Sequence, residues 1–110
     1  MIRVLTGDNS FEIDRFVNEL EVGFNGQINK LTSYKLDLNR LLDFIAGVDL
    51  FSDNKLVIIR QLSDNKAVWS EYEKWLDKVS DSVDLVLIEP KLDKRTAIYK
   101  KLQKLADIVD

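Results

Sequence analysis

Apolar and polar positions along the chain switch repeatedly between a strand-like and a helical spacing. Ile2-Arg3-Val4-Leu5 is short, β-branched and apolar, and Thr6-Gly7-Asp8-Asn9 supplies turn chemistry behind it, so a strand is predicted to run into a helix. Asn9, with Glu12 three residues on, fits a helix N-cap with a reciprocal acceptor. Ile13, Phe16, Val17, Leu20 and Phe24 then fall on one face of a helix that Gly23 to Gly26 ends. Ile28, Leu31, Tyr34 and Leu36 give no clean period, and residues 28–35 read as a weak strand. Asp37 caps a second helix with the stripe Leu38, Leu41, Leu42, Ile45 and Val48; Phe44 lies to one side, and Ser52-Asp53-Asn54 is a turn. Leu56-Val57-Ile58-Ile59 is continuously apolar, as in a strand covered on both faces. A third helix is predicted with Val68, Tyr72, Trp75, Leu76 and Val79 inward and with Trp69 and Trp75 on different sides. Val83 to Ile88 is a further strand, stopped by Glu89-Pro90. A last helix spans Thr96 to Ala106 with Ile98, Leu102 and Leu105 inward, and Ile108-Val109 starts another strand.

Strands that alternate with helices imply an α/β fold with a parallel sheet. The 110 residues form one domain, 1–110, and an end just inside a strand suggests either a piece cut from a longer protein or a very short last strand. Folding a chain of this size buries roughly 65% of its unfolded surface, enough for one core.

Composition narrows the chemistry. With no cysteine there is no disulfide, thiolate nucleophile or Cys-ligated metal, and with no histidine the commonest general base and zinc ligand are gone. No metal or other cofactor is expected. No apolar run approaches the roughly 20 residues that cross a bilayer, and a reducing, cytoplasmic setting fits. A net charge of −3 does not favour wholesale nucleic-acid binding.

Four places invite a functional reading. Gly7 to Asp14 stands where a phosphate-binding loop would, but Glu12, Ile13 and Asp14 occupy the positions of the second glycine, the lysine and the hydroxyl. Residues 7–22 carry five acids and one base, a field that opposes a polyphosphate. The plain alternative is a tight turn and a capped helix. Asp64, after the central apolar run, stands near the place of a receiver-domain phosphoacceptor, with Asp8 and Asp14 near its acidic partners. Glu89 replaces the expected hydroxyl, however, and exposed Asp is common in turns. Residues 91–106 hold six bases and one acid, and Lys94, Lys101 and Lys104 are candidates for a shared phosphate-contacting face or for the solvated side of an amphipathic helix. Finally, Leu50 and Phe51 are adjacent at a helix end, with Val48 close by. Either at least one of them faces water and a partner's pocket, or Phe51 folds back onto the sheet edge; periodicity leaves both open.

Several segments in order resemble the N-terminal domain of the bacterial DNA polymerase III delta subunit, the clamp-opening subunit of the clamp loader. They are Val4 to Phe11, Leu36 to Leu42, Asp49 to Arg60 and Glu89 to Arg95, and the third, a Leu-Phe pair, a polar turn, a basic residue and an apolar strand, is the most telling. The resemblance implies a three-layer RecA-like, AAA+-type domain with a mostly parallel sheet, a degenerate phosphate loop and no enzymatic activity. It implies that Leu50 and Phe51, with Val48 as a weaker neighbour, enter a hydrophobic pocket on the sliding clamp, the beta subunit. Family members continue into helical and collar domains absent here, through which other clamp-loader subunits would be met; any DNA contact would be weak or indirect.

Overall fold

A computed structural model describes residues 1–46 and 54–110 of the chain. Five strands, β1 (Ile2–Leu5), β2 (Gln27–Thr32), β3 (Lys55–Arg60), β4 (Val83–Ile88) and β5 (Asp107–Val109), form one sheet in the order β2-β3-β4-β1-β5. Every pairing is parallel, with Ile2 opposite Leu85, Val57 opposite Leu85, Ile28 opposite Leu56 and Val4 opposite Ile108. The helices are α1 (Ser10–Gly23), α2 (Leu38–Ile45), the single turns α3 (Lys66–Trp69) and α4 (Tyr72–Trp75), and α5 (Ala97–Leu105).

Parallel strands cannot be joined by tight hairpins, so each connection carries a helix onto a face of the sheet. One face takes α1 alone: Ile13 and Val17 close over Leu5, Leu56, Ile58, Val86 and Ile88, flanked by Phe16, Leu20 and Phe24. The other face takes the remaining helices over Val4, Val57, Ile59, Leu85 and Leu87, with Leu41, Ile45, Val68, Trp75, Ile98 and Leu102 inward. The result is the expected three-layer α/β domain. The unbroken apolar run Leu56–Ile59 is buried throughout because β3 is an interior strand with helices on both sides.

The Asn9 and Asp37 caps lie where the sequence places them, and Thr96, expected as the first residue of the last helix, is its cap. Asn9 Oδ1 accepts from the Glu12 N–H at 3.1 Å, Asp37 Oδ1 from the Arg40 N–H at 2.7 Å, and the Thr96 hydroxyl from the Tyr99 N–H at 3.3 Å. Glu12 does not reciprocate at Asn9; its carboxylate turns to Arg15, 3.8 Å away. The weak strand is β2 at an edge, followed by a 3₁₀ turn over Ser33–Lys35.

Two expectations are corrected. The third helix is broken into α3, α4 and flanking 3₁₀ turns over Leu62–Asp64 and Leu76–Lys78. A continuous helix would give the Val68 carbonyl to the Tyr72 N–H. Here the Glu71 N–H takes that carbonyl at 3.1 Å and the buried Trp75 indole N–H takes it at 2.9 Å. The break brings Trp69 and Trp75 together, ring centroids 6.2 Å apart, so they do not lie on opposite sides. The second correction is Leu105, which is exposed in the last turn of α5, whose buried residues are Ile98 and Leu102 alone.

Candidate functional site

Val48, Leu50 and Phe51 lie outside the described residues, but both ends of the link that carries them are defined. α2 ends at Ile45 and β3 begins at Lys55, at the amino ends of the strands. The Ser80 N–H donates to the Ile45 carbonyl at 2.8 Å, and the Lys55 N–H donates to the Ser82 carbonyl at 3.0 Å. One short turn before β4 therefore holds both stems. Within it Ser80 Oγ lies 3.1 Å from Ser82 Oγ and accepts from the Ser82 N–H at 3.3 Å. On the other side the Gln27 N–H donates to the Asn54 carbonyl at 3.2 Å, and Gly26, at φ +154°, leaves room for that carbonyl, which a Cβ would meet at 2.6 Å. The Lys55 ammonium reaches back to the Phe44 carbonyl at 3.4 Å and sits 5.9 Å from the centre of the Phe44 ring. No spacing rule would have found these ties between the stems and their neighbours, because they join residues 11, 27 and 35 positions apart.

The phosphate-loop-like turn lies at the opposite, carboxyl ends of the strands. It is laced to its neighbours: the Thr6 N–H donates to the Val109 carbonyl at 2.9 Å and the Gly7 N–H to the Pro90 carbonyl at 3.2 Å. Gly7 takes φ +116°, and a Cβ there would sit 2.8 Å from Asp110 Oδ1. A cavity of about 300 Å³ opens between this turn and α1. Its lining includes the carboxylates Asp8, Glu12 and Asp110 and holds no lysine or arginine.

Asp64 does not stand where a receiver phosphoacceptor would. It is exposed in the 3₁₀ turn after β3, and β4 separates it from the turn after β1. A receiver-type sheet runs 2-1-3-4-5, with β1 beside β3; here β1 lies between β4 and β5. The phosphoacceptor alternative is thereby corrected. Its neighbour Glu89 has a different role, unseen in the sequence. At 2% exposed, its carboxylate accepts from the Ser63 N–H at 3.3 Å and caps the turn after β3. Burial pushes the Glu89 carboxyl above its ordinary value; hydrogen bonds from Ser63 and Leu62 pull it partly back, and the Asp64 charge adds to the rise. Gln61, at φ 52°, turns the chain out of β3 into this cluster.

The bases of residues 91–106 do not share one face. Lys94 precedes α5, and Lys101 is drawn aside to Asp77 Oδ2 at 2.6 Å and over the Tyr72 ring. Arg95 is paired with Asp93, holding that carboxyl below its ordinary value. Among the described residues, no helix is long and apolar enough to cross a membrane.

An all-parallel five-stranded sheet in this order, with helices on both faces and a glycine turn between β1 and α1, defines a RecA-like three-layer domain. Within that class the chain belongs to the DNA polymerase III delta subunit family, which it matches over residues 4–110. It is thus a domain of a clamp-loader family that serves DNA replication. Among solved structures it is similar to the Bacillus subtilis DNA clamp loader delta protein (YqeN), with a TM-score of 0.80 at 15% identity. The match covers 98% of this chain and 37% of that one, so the chain spans little more than a third of that protein's length. No curated protein matches the chain in sequence.

Proposed function

We propose that this chain is the clamp-engaging domain of a clamp-loader delta subunit. It grips a sliding clamp through Leu50 and Phe51, with Val48 beside them, and performs no chemistry of its own. One observation carries this: in a chain of the delta family, two adjacent large apolar residues occupy the link whose two stems are tied to a single turn. Burying both side chains in an apolar pocket contributes about 3–6 kcal/mol before the costs of association. A domain that binds an opened ring more tightly than a closed one shifts the ring toward opening by that difference in affinity and no more. The acidic cavity beside Gly7 supports a mechanism driven by binding, since its carboxylates repel the phosphates that a loader ATPase would hold there.

The test is binding of the chain to purified bacterial sliding clamps, with Leu50→Ala/Phe51→Ala as the comparison. The double variant is expected to lose affinity by about 100-fold or more, with its melting temperature unchanged. Parent-like binding by the variant would overturn the assignment.

A further inference from the structure

We infer that the solvent side of α1 is a docking groove for a basic amphipathic helix of a partner protein, a contact separate from the clamp grip proposed above. An ordinary surface helix keeps one apolar stripe. α1 has two. Ile13 and Val17, flanked by Phe16 and Leu20, turn inward onto the sheet. On the other side Phe11 and Val22 stand 73% and 88% exposed. Phe11, Arg15, Asn18 and Val22 recur at steps of four, three and four, the spacing with which one helix lays a seam against another. A groove of about 560 Å³ runs along these four residues and ends at Gly23. Arg15 adds its aliphatic stem between the two apolar walls. A Cβ at Gly23 would meet nothing within 4 Å, so no neighbour among the described residues requires a glycine there. Bare backbone at the end of the groove instead lets a second helix come close.

Charge selects the occupant. Glu12 and Glu19 share a single base, Arg15, at 3.8 and 3.5 Å. Asp14, which also lines the groove, is held by Arg60 at 2.9 Å. Over the whole of α1 four carboxylates accompany one base. Such a face repels nucleic-acid phosphates and anionic lipid headgroups. A second copy of α1 would bring the same carboxylates against it. A helix with large aliphatic residues in its seam and Lys or Arg on its flanks covers Phe11 and Val22 and balances the acidic rim at once.

The experiment titrates the chain by calorimetry with a three-heptad helical peptide, leucine at its seam positions and lysine elsewhere, and with the matching leucine–glutamate peptide. Phe11→Ser/Val22→Ser removes both apolar walls at positions outside the two cores, and Tyr34→Ser removes a comparably exposed aromatic elsewhere. The lysine peptide is expected to bind the parent and Tyr34→Ser alike. Phe11→Ser/Val22→Ser is expected to bind it about tenfold more weakly with an unchanged melting temperature. Should that variant lose folded fraction, Gly23→Gln, which plants a side chain in the open end of the groove, decides in its place and is expected to weaken binding as well. No binding of the lysine peptide, or equal affinity for the parent and the groove variants, overturns the proposal, as does an equal loss in Tyr34→Ser. A glutamate peptide that binds as tightly as the lysine one overturns the choice of a basic occupant. A parent that sediments as a dimer, which Phe11→Ser/Val22→Ser dissolves, makes the occupant a second copy of the chain and overturns it too.

Discussion

Among the described residues, Glu89 is the charged side chain taken furthest out of water, at 2% exposed. A buried carboxylate persists where its hydrogen bonds offset part of the desolvation cost, and here the turn after β3 supplies them. The sign of the consequence follows from the raised pKa. A carboxyl that holds its proton more tightly folded than unfolded contributes most to stability below its ordinary value, and that contribution is lost as pH rises through the raised one. Glu89→Gln keeps an acceptor for the Ser63 N–H and removes the charge. Relative to the parent, the variant is expected to gain stability between pH 4.5, the ordinary value of the carboxyl, and neutrality. Urea denaturation at both ends of that range checks this, and a parent–variant difference independent of pH would count against it.

At the scale of elements, α1, α2, β3 and β4 were legible because local pattern and tertiary demand agree. Asn9 and Asp37 cap helices whose apolar stripes face the core, and Leu56–Ile59 has helices on both sides. The stretch from Leu62 to Lys78 was not legible, since an apolar spacing compatible with one helix says nothing about where an indole N–H will find its acceptor. Trp75 is fully buried and bonds Val68 at the break, so Trp75→Phe should cost about 2 kcal/mol through the lost hydrogen bond and lost volume. Chemical denaturation measures it; a cost below about 0.5 kcal/mol would show that the break does not depend on the indole. At the candidate site the sequence offered the Leu50–Phe51 pair and the basic residue that follows, but not the bracket of Lys55, Phe44 and Ser80. Those contacts join different elements and leave no local period.

The whole molecule sets two ends of one sheet to different uses. The carboxyl ends of the strands hold the acidic cavity and the buried Glu89, while the amino ends hold the stems of the link between α2 and β3. From the proposed function, Mg-ATP should bind no more tightly than the millimolar range despite the nearby helix N-terminus; a clear calorimetric titration below that range would contradict it. The strand order carries a further consequence, for how the chain comes to exist at all. β1 has only β4 and β5 as neighbours, and Ile2 faces Leu85, 83 positions later. At about 5–20 residues per second, a growing polypeptide leaves β1 without a mate for several seconds, until β4 has been made. Synthesis in chain order therefore cannot lay this sheet down strand beside strand. β1 must wait, greasy and unmatched, for β4, and during that interval the newborn chain is most open to capture by a chaperone or by another copy of itself.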